Sequence, residues 1–84
     1  MENNLNIIKD KFKELPNNIE AEKSVIGSIL VTNEIFDEIS TIISHVNFYD
    51  PMHQKIYNAV ESLIYKGMLA NPITLKNYFE DEKD

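Results

Sequence analysis

The sequence predicts an all-α protein, a compact bundle of four to five short helices. Apolar residues recur at spacings of three and four along most of the chain, which is typical of amphipathic helices. Asparagine or aspartate stands before the helix starts, twice with proline at the first helical position. No segment shows the convincing apolar–polar alternation of a strand, so short connections between packed helices are expected.

The first predicted helix, at residues 4–14, is the weakest of the five. It places three apolar residues at helical spacing: Leu5, Ile8 and Phe12. Because the segment is short and rich in lysine, we expect residues 1–15 to be a flexible or frayed N-terminal segment. Pro16 ends it, since the residue before a proline is disfavoured in the α region. Residues 16–84 are then predicted to form the globular helical domain.

The second helix is predicted at about 18–31, capped by Asn17 or Asn18. Its buried stripe is Ala21, Val25, Ile26, Ile29 and Leu30. Gly27 lies inside this helix, where glycine costs about 1 kcal/mol relative to alanine. We therefore expect another helix to approach Gly27 closely.

The pair Thr32-Asn33 breaks the second helix and is predicted to cap a third, at about 34–44. The residues expected to face inward there are Ile35, Phe36, Ile39, Ile42 and Ile43. This spacing is helical, so one continuous helix is predicted.

The stretch NFYDPMHQKIYNAV, residues 47–60, predicts an anchored loop and the start of a fourth helix. We expect Phe48 and Tyr49 to plug the core and anchor the loop, with the hydroxyl of Tyr49 at the surface. Asp50 is a good N-cap, and Pro51 fits the first helical position. The inward positions are Met52, Ile56, Ala59, Val60, Leu63 and Ile64. Gly67 should end this helix in a left-handed conformation.

The same start signal recurs at Asn71-Pro72 and opens the last predicted helix. Its inward residues are Leu75, Tyr78 and Phe79.

The charge composition argues against nucleic acid as a direct ligand. The 84 residues carry fourteen acids and eight bases, all of them lysine, for a net charge of −6. Without arginine there is no bidentate donor for phosphate or guanine, and clustered cations are what phosphate binding needs. No apolar run approaches the ~20 residues of a membrane span, and the polar N-terminus does not fit a signal peptide. A cytoplasmic protein with no membrane contact is expected.

No catalytic, cofactor or metal site is predicted in these residues. The two glycines, Gly27 and Gly67, are forty residues apart, which excludes a phosphate-binding loop within this sequence. His45 and His53 lie in different elements, and we expect His53 to hydrogen-bond to a loop or pack beside Phe48. The sequence has no cysteine, and therefore no thiolate ligands.

Two acids at the start of the second helix, Glu20 and Glu22, are the candidate partner-binding residues. Their position in the first turns is favoured by the helix dipole. They are two residues apart, so they do not share a helix face and cannot act as a carboxylate pair. We expect both to be exposed to solvent, and Glu20 to meet a cation of a partner.

Three stretches together resemble the N-terminal domain of DnaB-type bacterial replicative helicases: LPNNIEAEKSVIGSIL, NFYDPMHQKIYNAV and GMLANPITLKNYF. The matching positions are Pro16, Glu20, Ala21, Glu22, Gly27, Phe48, Tyr49, His53, Ile56, Tyr57, Ala59, Gly67, Thr74 and Leu75. The resemblance covers about residues 15–80 in the family's order and spacing. Asn47 and Asn71 stand where the family has aspartate, and asparagine caps a helix as well as aspartate does.

The resemblance implies a subunit of a hexameric, ATP-driven helicase of the replication fork. In that family the N-terminal domains form a collar, contribute to ring assembly and dock primase. A helicase loader is a further candidate partner. The motor that uses ATP and magnesium is a separate C-terminal domain, and a helical hairpin that pairs subunits precedes it. Neither is expected within these 84 residues.

Three other interpretations remain at this point. A bacterial primase has a helicase-binding domain of similar helical fold, although the order of the motifs and the presence of Met1 favour the helicase. A small helix-turn-helix DNA binder would shift DNA in a gel at low salt. A free-standing enzyme has no set of residues to support it.

Overall fold

A computed structural model describes residues 18–81 of the chain. This range holds four α-helices, two short 3₁₀ helices and no strand, which confirms the all-α fold class. The α-helices are α1 (Ile19–Val31), α2 (Phe36–Ile39), α3 (Pro51–Tyr65) and α4 (Pro72–Asp81), and the 3₁₀ helices cover Asn33–Ile35 and His45–Asn47. The helix predicted at 4–14 lies outside the described residues and stays a prediction.

Short-range capping defines the start of each long helix, as predicted. The Asn18 side chain accepts a hydrogen bond from the Ala21 N–H at 3.0 Å and so caps α1. Asp50 caps α3 through the Met52 N–H at 2.8 Å, with Pro51 at the first helical position. The Asn71 side chain accepts from two backbone N–H groups at the start of α4, each at 2.9 Å.

The end of α3 also follows the prediction. Gly67 has a φ of +80°, in the left-handed region that favours glycine. Its N–H donates to the Ile64 carbonyl, and the Met68 N–H donates to the Leu63 carbonyl, both at 2.9 Å. This double closure satisfies carbonyls that the helix end would otherwise leave unpaired.

The third helix is much shorter than predicted, because α2 covers one turn and the helix does not continue to residue 44. The Ser40 and Thr41 hydroxyls donate back to the carbonyls of Asp37 and Glu38, at 3.1 and 2.7 Å. Such local bonds compete with a helical backbone, and the β-branched residues that follow add little helix propensity. The expected inward position of Ile42 was wrong, since it is half exposed, whereas Ile43 is buried.

The core is built around three aromatic rings, with apolar residues of all four α-helices around them. Phe48 is buried as predicted, and its ring lies 5.0 Å from that of Tyr57. The Tyr57 ring also lies 5.5 Å from the ring of Phe36. Aromatic pairs at such separations add to the free energy that burial alone provides.

The buried face of α3 is rotated slightly from the predicted one. Met52 was expected to face inward but is mostly exposed. His53 and Tyr57 occupy the buried positions instead, together with the predicted Ala59, Val60 and Leu63. No helix between residues 18 and 81 has the length and apolar character needed to cross a membrane.

The expectation for Asn33 was also wrong, because its side chain caps no helix start. Its amide nitrogen donates to the carbonyls of Ile29 and Ala70, at 2.8 and 3.0 Å, and its oxygen accepts from the Ala70 N–H at 2.8 Å. One side chain thus ties the end of α1 to the loop between α3 and α4.

Gly27 makes no close helix contact, so that expectation was wrong. The residue is exposed, and a Cβ atom placed on it meets nothing within 4 Å. It lies two positions beyond the buried Val25, about 200° around the helix, and therefore faces solvent.

Replacing Gly27 with alanine is expected to stabilise the domain by about 1 kcal/mol, because it removes the conformational freedom of glycine from a helix interior. In a thermal melt this corresponds to a rise of roughly 4–8 °C for a domain of this size. Gly67→Ala is the matched control, since it also has open space but a left-handed backbone, and should destabilise by about 1–2 kcal/mol. A loss of stability in Gly27→Ala would mean that another element contacts this position.

Candidate functional site

The centre of the described structure is a buried carboxylate, that of Glu22. The residue lies in the first turns of α1 and has no solvent exposure. Its Oε1 atom faces Nδ1 of His53 at 2.7 Å and accepts from the Asp50 N–H at 3.3 Å. Its Oε2 atom accepts from the Tyr49 N–H. Three donors from one loop and one helix therefore converge on a single side chain of α1.

The sequence around His53 fixes the geometry of this contact. Asp50 and Pro51 set the first turn of α3, and His53 follows in that turn on the buried side. A carboxylate oxygen accepts, so His53 Nδ1 carries the hydrogen in this contact. Of the two alternatives predicted for His53, the hydrogen bond to a loop was wrong, because its partner is a side chain of α1. The other alternative, packing beside Phe48, stays a prediction.

Burying a carboxylate is unfavourable unless hydrogen bonds replace its water shell. Hydrogen bonds to a charged group contribute about 1.5–3 kcal/mol each, more than those between neutral groups. Glu22 has three, and no buried side-chain nitrogen or oxygen among residues 18–81 lacks a partner. The Glu22 contacts therefore stabilise the arrangement of α1 relative to the loop before α3.

Two further side chains of α3 hold the same loop from the other side. The Gln54 amide donates to the Phe48 carbonyl at 2.7 Å, and the Tyr57 hydroxyl donates to the Ile43 carbonyl at 2.9 Å. Burial raises the pKa of Tyr57 well above its ordinary value, with smaller contributions from Glu61 and Tyr65. The Tyr57 hydroxyl therefore keeps its hydrogen and remains a hydrogen-bond donor at neutral and moderately alkaline pH.

The two predicted partner-binding acids have opposite environments. The Glu20 side chain is 86% exposed and lies 3.7 Å from Lys23, a weak intrahelical pair. The expectation that Glu22 is also exposed was wrong, because two residues correspond to about 200° around a helix and carry Glu22 to the buried side. Glu22 is thus unavailable to a partner in this structure, and Glu20 remains the candidate.

The burial of Glu22 was predictable from its spacing in the sequence, although its charge alone argues against burial. Glu22 stands three, four and seven residues before Val25, Ile26 and Ile29, which is the spacing of one helix face. A charged residue within such a stripe is rarely buried without a partner. His53 follows the same rule, since Tyr57 and Val60 lie four and seven residues later.

This arrangement is suited to holding a surface in place. The Glu22 carboxylate is engaged by three donors. No group of three or more potential metal ligands occurs between residues 18 and 81. Outside the buried contacts, the same elements expose Glu20 and Tyr49. The expectation that Tyr49 helps Phe48 to plug the core was wrong, because Tyr49 is 63% exposed. The fold and the site therefore define a small all-α domain in which buried polar contacts fix the start of α1 against the loop before α3.

Comparison with known proteins identifies the family to which this domain belongs. The sequence model of the DnaB-like helicase N-terminal domain matches residues 14–84. The chain therefore belongs to the family of DnaB-like helicase N-terminal domains. This agrees with the motif resemblance and favours the helicase over the primase interpretation.

Curated relatives support the same family. The replicative DNA helicase DnaB of Rickettsia typhi is 41% identical over 81 residues, covering 89% of this chain and 16% of the relative. The DnaB of Rickettsia bellii is 36% identical over 96% of this chain and 17% of its own length. The DnaB of Buchnera aphidicola subsp. Baizongia pistaciae is 38% identical over 94% and 17%. The chain thus spans about a sixth of these relatives. No solved structure gives a significant match.

Replacing Glu22 with glutamine tests the central contact. The amide places an N–H₂ group against one of the donors that now meet a carboxylate oxygen, so the free energy of unfolding should fall by about 2–3 kcal/mol. Urea denaturation measures this difference. Glu20→Gln makes the same chemical change two residues away on the exposed side, and should cost less than about 1 kcal/mol. Equal losses in the two variants would contradict the central role of the buried carboxylate.

Proposed function

We propose that this domain is the non-catalytic collar and protein-interaction domain of a hexameric replicative DNA helicase. It contributes to ring assembly, through contacts with the other subunits, and to docking of primase at the replication fork. Family membership supports this proposal, as does a sequence with no phosphate-binding loop. A helicase loader is a further candidate partner.

The rest of the proposal concerns a longer protein. The helicase activity, and the use of ATP and magnesium, belong to a motor domain outside these 84 residues. The domain itself binds neither nucleic acid nor membrane, in keeping with its net charge of −6 and its lack of arginine. The whole protein works in the cytoplasm.

The observation that carries the docking proposal is the position of Glu20. Its side chain is almost fully exposed at the start of α1. The turn that bears it is fixed from both sides, by the Asn18 cap and by the buried contacts of Glu22. When a partner cation binds Glu20, little free energy is spent on ordering this turn, because the turn is already fixed before binding.

Replacing Glu20 with lysine is therefore expected to weaken primase binding by the full-length helicase without unfolding the domain. Charges at the rim of an interface act mainly on association rate and salt dependence, so the loss should be largest at low ionic strength. Calorimetric titration of primase at a low and a high salt concentration measures this. The dipole penalty on helix stability is about 0.3–1 kcal/mol, which a circular dichroism melt can check.

Glu80→Lys is the matched control for this experiment. Glu80 is an exposed glutamate of α4 with a lysine partner in its own helix, Lys76 at 3.6 Å, much as Glu20 pairs with Lys23. The control introduces the same change of charge at a different place. Equal primase affinity for Glu20→Lys and the parent at both salt concentrations would show that Glu20 is only a solvated helix-start acid.

A further inference from the structure

A shallow groove lies at the far end of α1 from Glu20. Its lining comes from two parts of the chain: Leu30, Val31 and Glu34 belong to the end of α1 and the 3₁₀ helix after it, and Leu69 and Ala70 belong to the loop between α3 and α4. Its volume of about 240 Å³ is below the ~300–1,000 Å³ typical of small-molecule pockets. The groove therefore has room for one or two side chains of a polypeptide rather than for a metabolite.

The apolar side chains of this groove are unusually accessible. Val31 is 86% exposed and Leu69 is 68% exposed, although each lies beside buried residues of the core. Covering two aliphatic side chains that line one groove and face water is favourable, because it removes apolar surface from water.

The base of the groove is held rigidly. Asn33 joins the end of α1 to Ala70 through both atoms of its amide. Asn71 accepts from two N–H groups of α4, and its own N–H donates to the Thr74 hydroxyl at 2.9 Å. The polar side chains of the base are therefore already engaged, and a ligand meets a preformed apolar surface.

The charged group that lines the groove is acidic. Glu34 is the single ionisable residue that lines it, and α1 ends there with no basic residue in its last turn. A helix C-terminus carries about half a negative elementary charge, which favours a cation. The part of the chain that supplies Leu30, Val31 and Glu34 has no lysine or arginine from residue 24 to residue 54 and has four acids, whereas Lys66 lies three residues before Leu69.

From these observations we propose that the groove is a second docking site, for an amphipathic segment of another polypeptide. The segment inserts an aliphatic or aromatic side chain between Val31 and Leu69 and places a lysine or arginine against Glu34. Glu20 and Val31 are eleven residues apart on one helix, or roughly 16 Å. This site is therefore distinct from the one proposed for primase, and each can be tested without the other.

The test uses a display library of short random peptides selected on the 84-residue chain, followed by fluorescence anisotropy with the enriched peptides. The selection is expected to enrich an apolar residue followed within one helical turn by lysine or arginine. Val31→Lys should raise the dissociation constant at least about tenfold, because it places a cation where the apolar anchor packs. Glu34→Gln should raise it about two- to fivefold and reduce its salt dependence.

Two matched control variants test whether the effects on peptide affinity are specific to the groove. Val46→Lys alters another exposed valine that does not line the groove, and Glu38→Gln alters another exposed acid outside it. Both should leave peptide affinity unchanged within about twofold. Leu69→Ala should weaken binding as Val31→Lys does, and since its side chain is largely exposed, circular dichroism should show an unaltered fold.

Several results would overturn the proposal. Enrichment of acidic peptides, or of none, would contradict the charge argument. Equal effects of Val31→Lys and Val46→Lys would show that the peptides bind elsewhere. Sedimentation velocity that shows a dimer of the chain, lost in Val31→Lys, would assign the groove to a second copy of this chain instead of to another polypeptide.

Discussion

The structure depends first on how the Glu22 carboxylate is satisfied. Its position in the apolar stripe of α1 is set by helix geometry, so it is buried whenever α1 packs on the core. Burial is tolerable only where donors replace water. The Tyr49 and Asp50 N–H groups and the His53 ring supply them. Alternative packings that preserve the apolar contacts but displace these donors would leave a buried charge unpaired, which is strongly unfavourable.

Features that depend on neighbouring residues were predictable from the sequence. The caps at Asn18, Asp50 and Asn71, and the left-handed Gly67, each follow from side-chain and backbone chemistry within a few positions. For the same reason the long helices and the buried Phe48 were placed correctly. The length of α2 was not predicted correctly, because hydroxyl groups and tertiary contacts override a good apolar spacing there.

The candidate site was only partly predictable, because its contacts join residues far apart in the chain. Glu22 and His53 are 31 positions apart, and Asn33 and Ala70 are 37 positions apart. Local spacing indicates that such residues face inward, but not which groups they meet. The assumption that acids in a first helical turn are solvated held for Glu20 and failed for Glu22. Extending the apolar stripe of α1 by one turn towards the N-terminus includes Glu22. It leaves out Glu20, which lies two residues away on a different face.

The polar contacts at the two ends of α1 have a consequence for whether ligands bound at those ends affect each other. Glu22 fixes its beginning to the loop before α3, and Asn33 fixes its end to the loop after α3. α1 and α3 therefore lie with like ends together, and a shift of one helix along the other would break these contacts. Allosteric coupling needs an element with two arrangements that ligands can favour differently. Since the contacts at both ends of α1 oppose a change in its position, ligands at its two ends are expected to bind with additive free energies, and the helix acts as a spacer of fixed length.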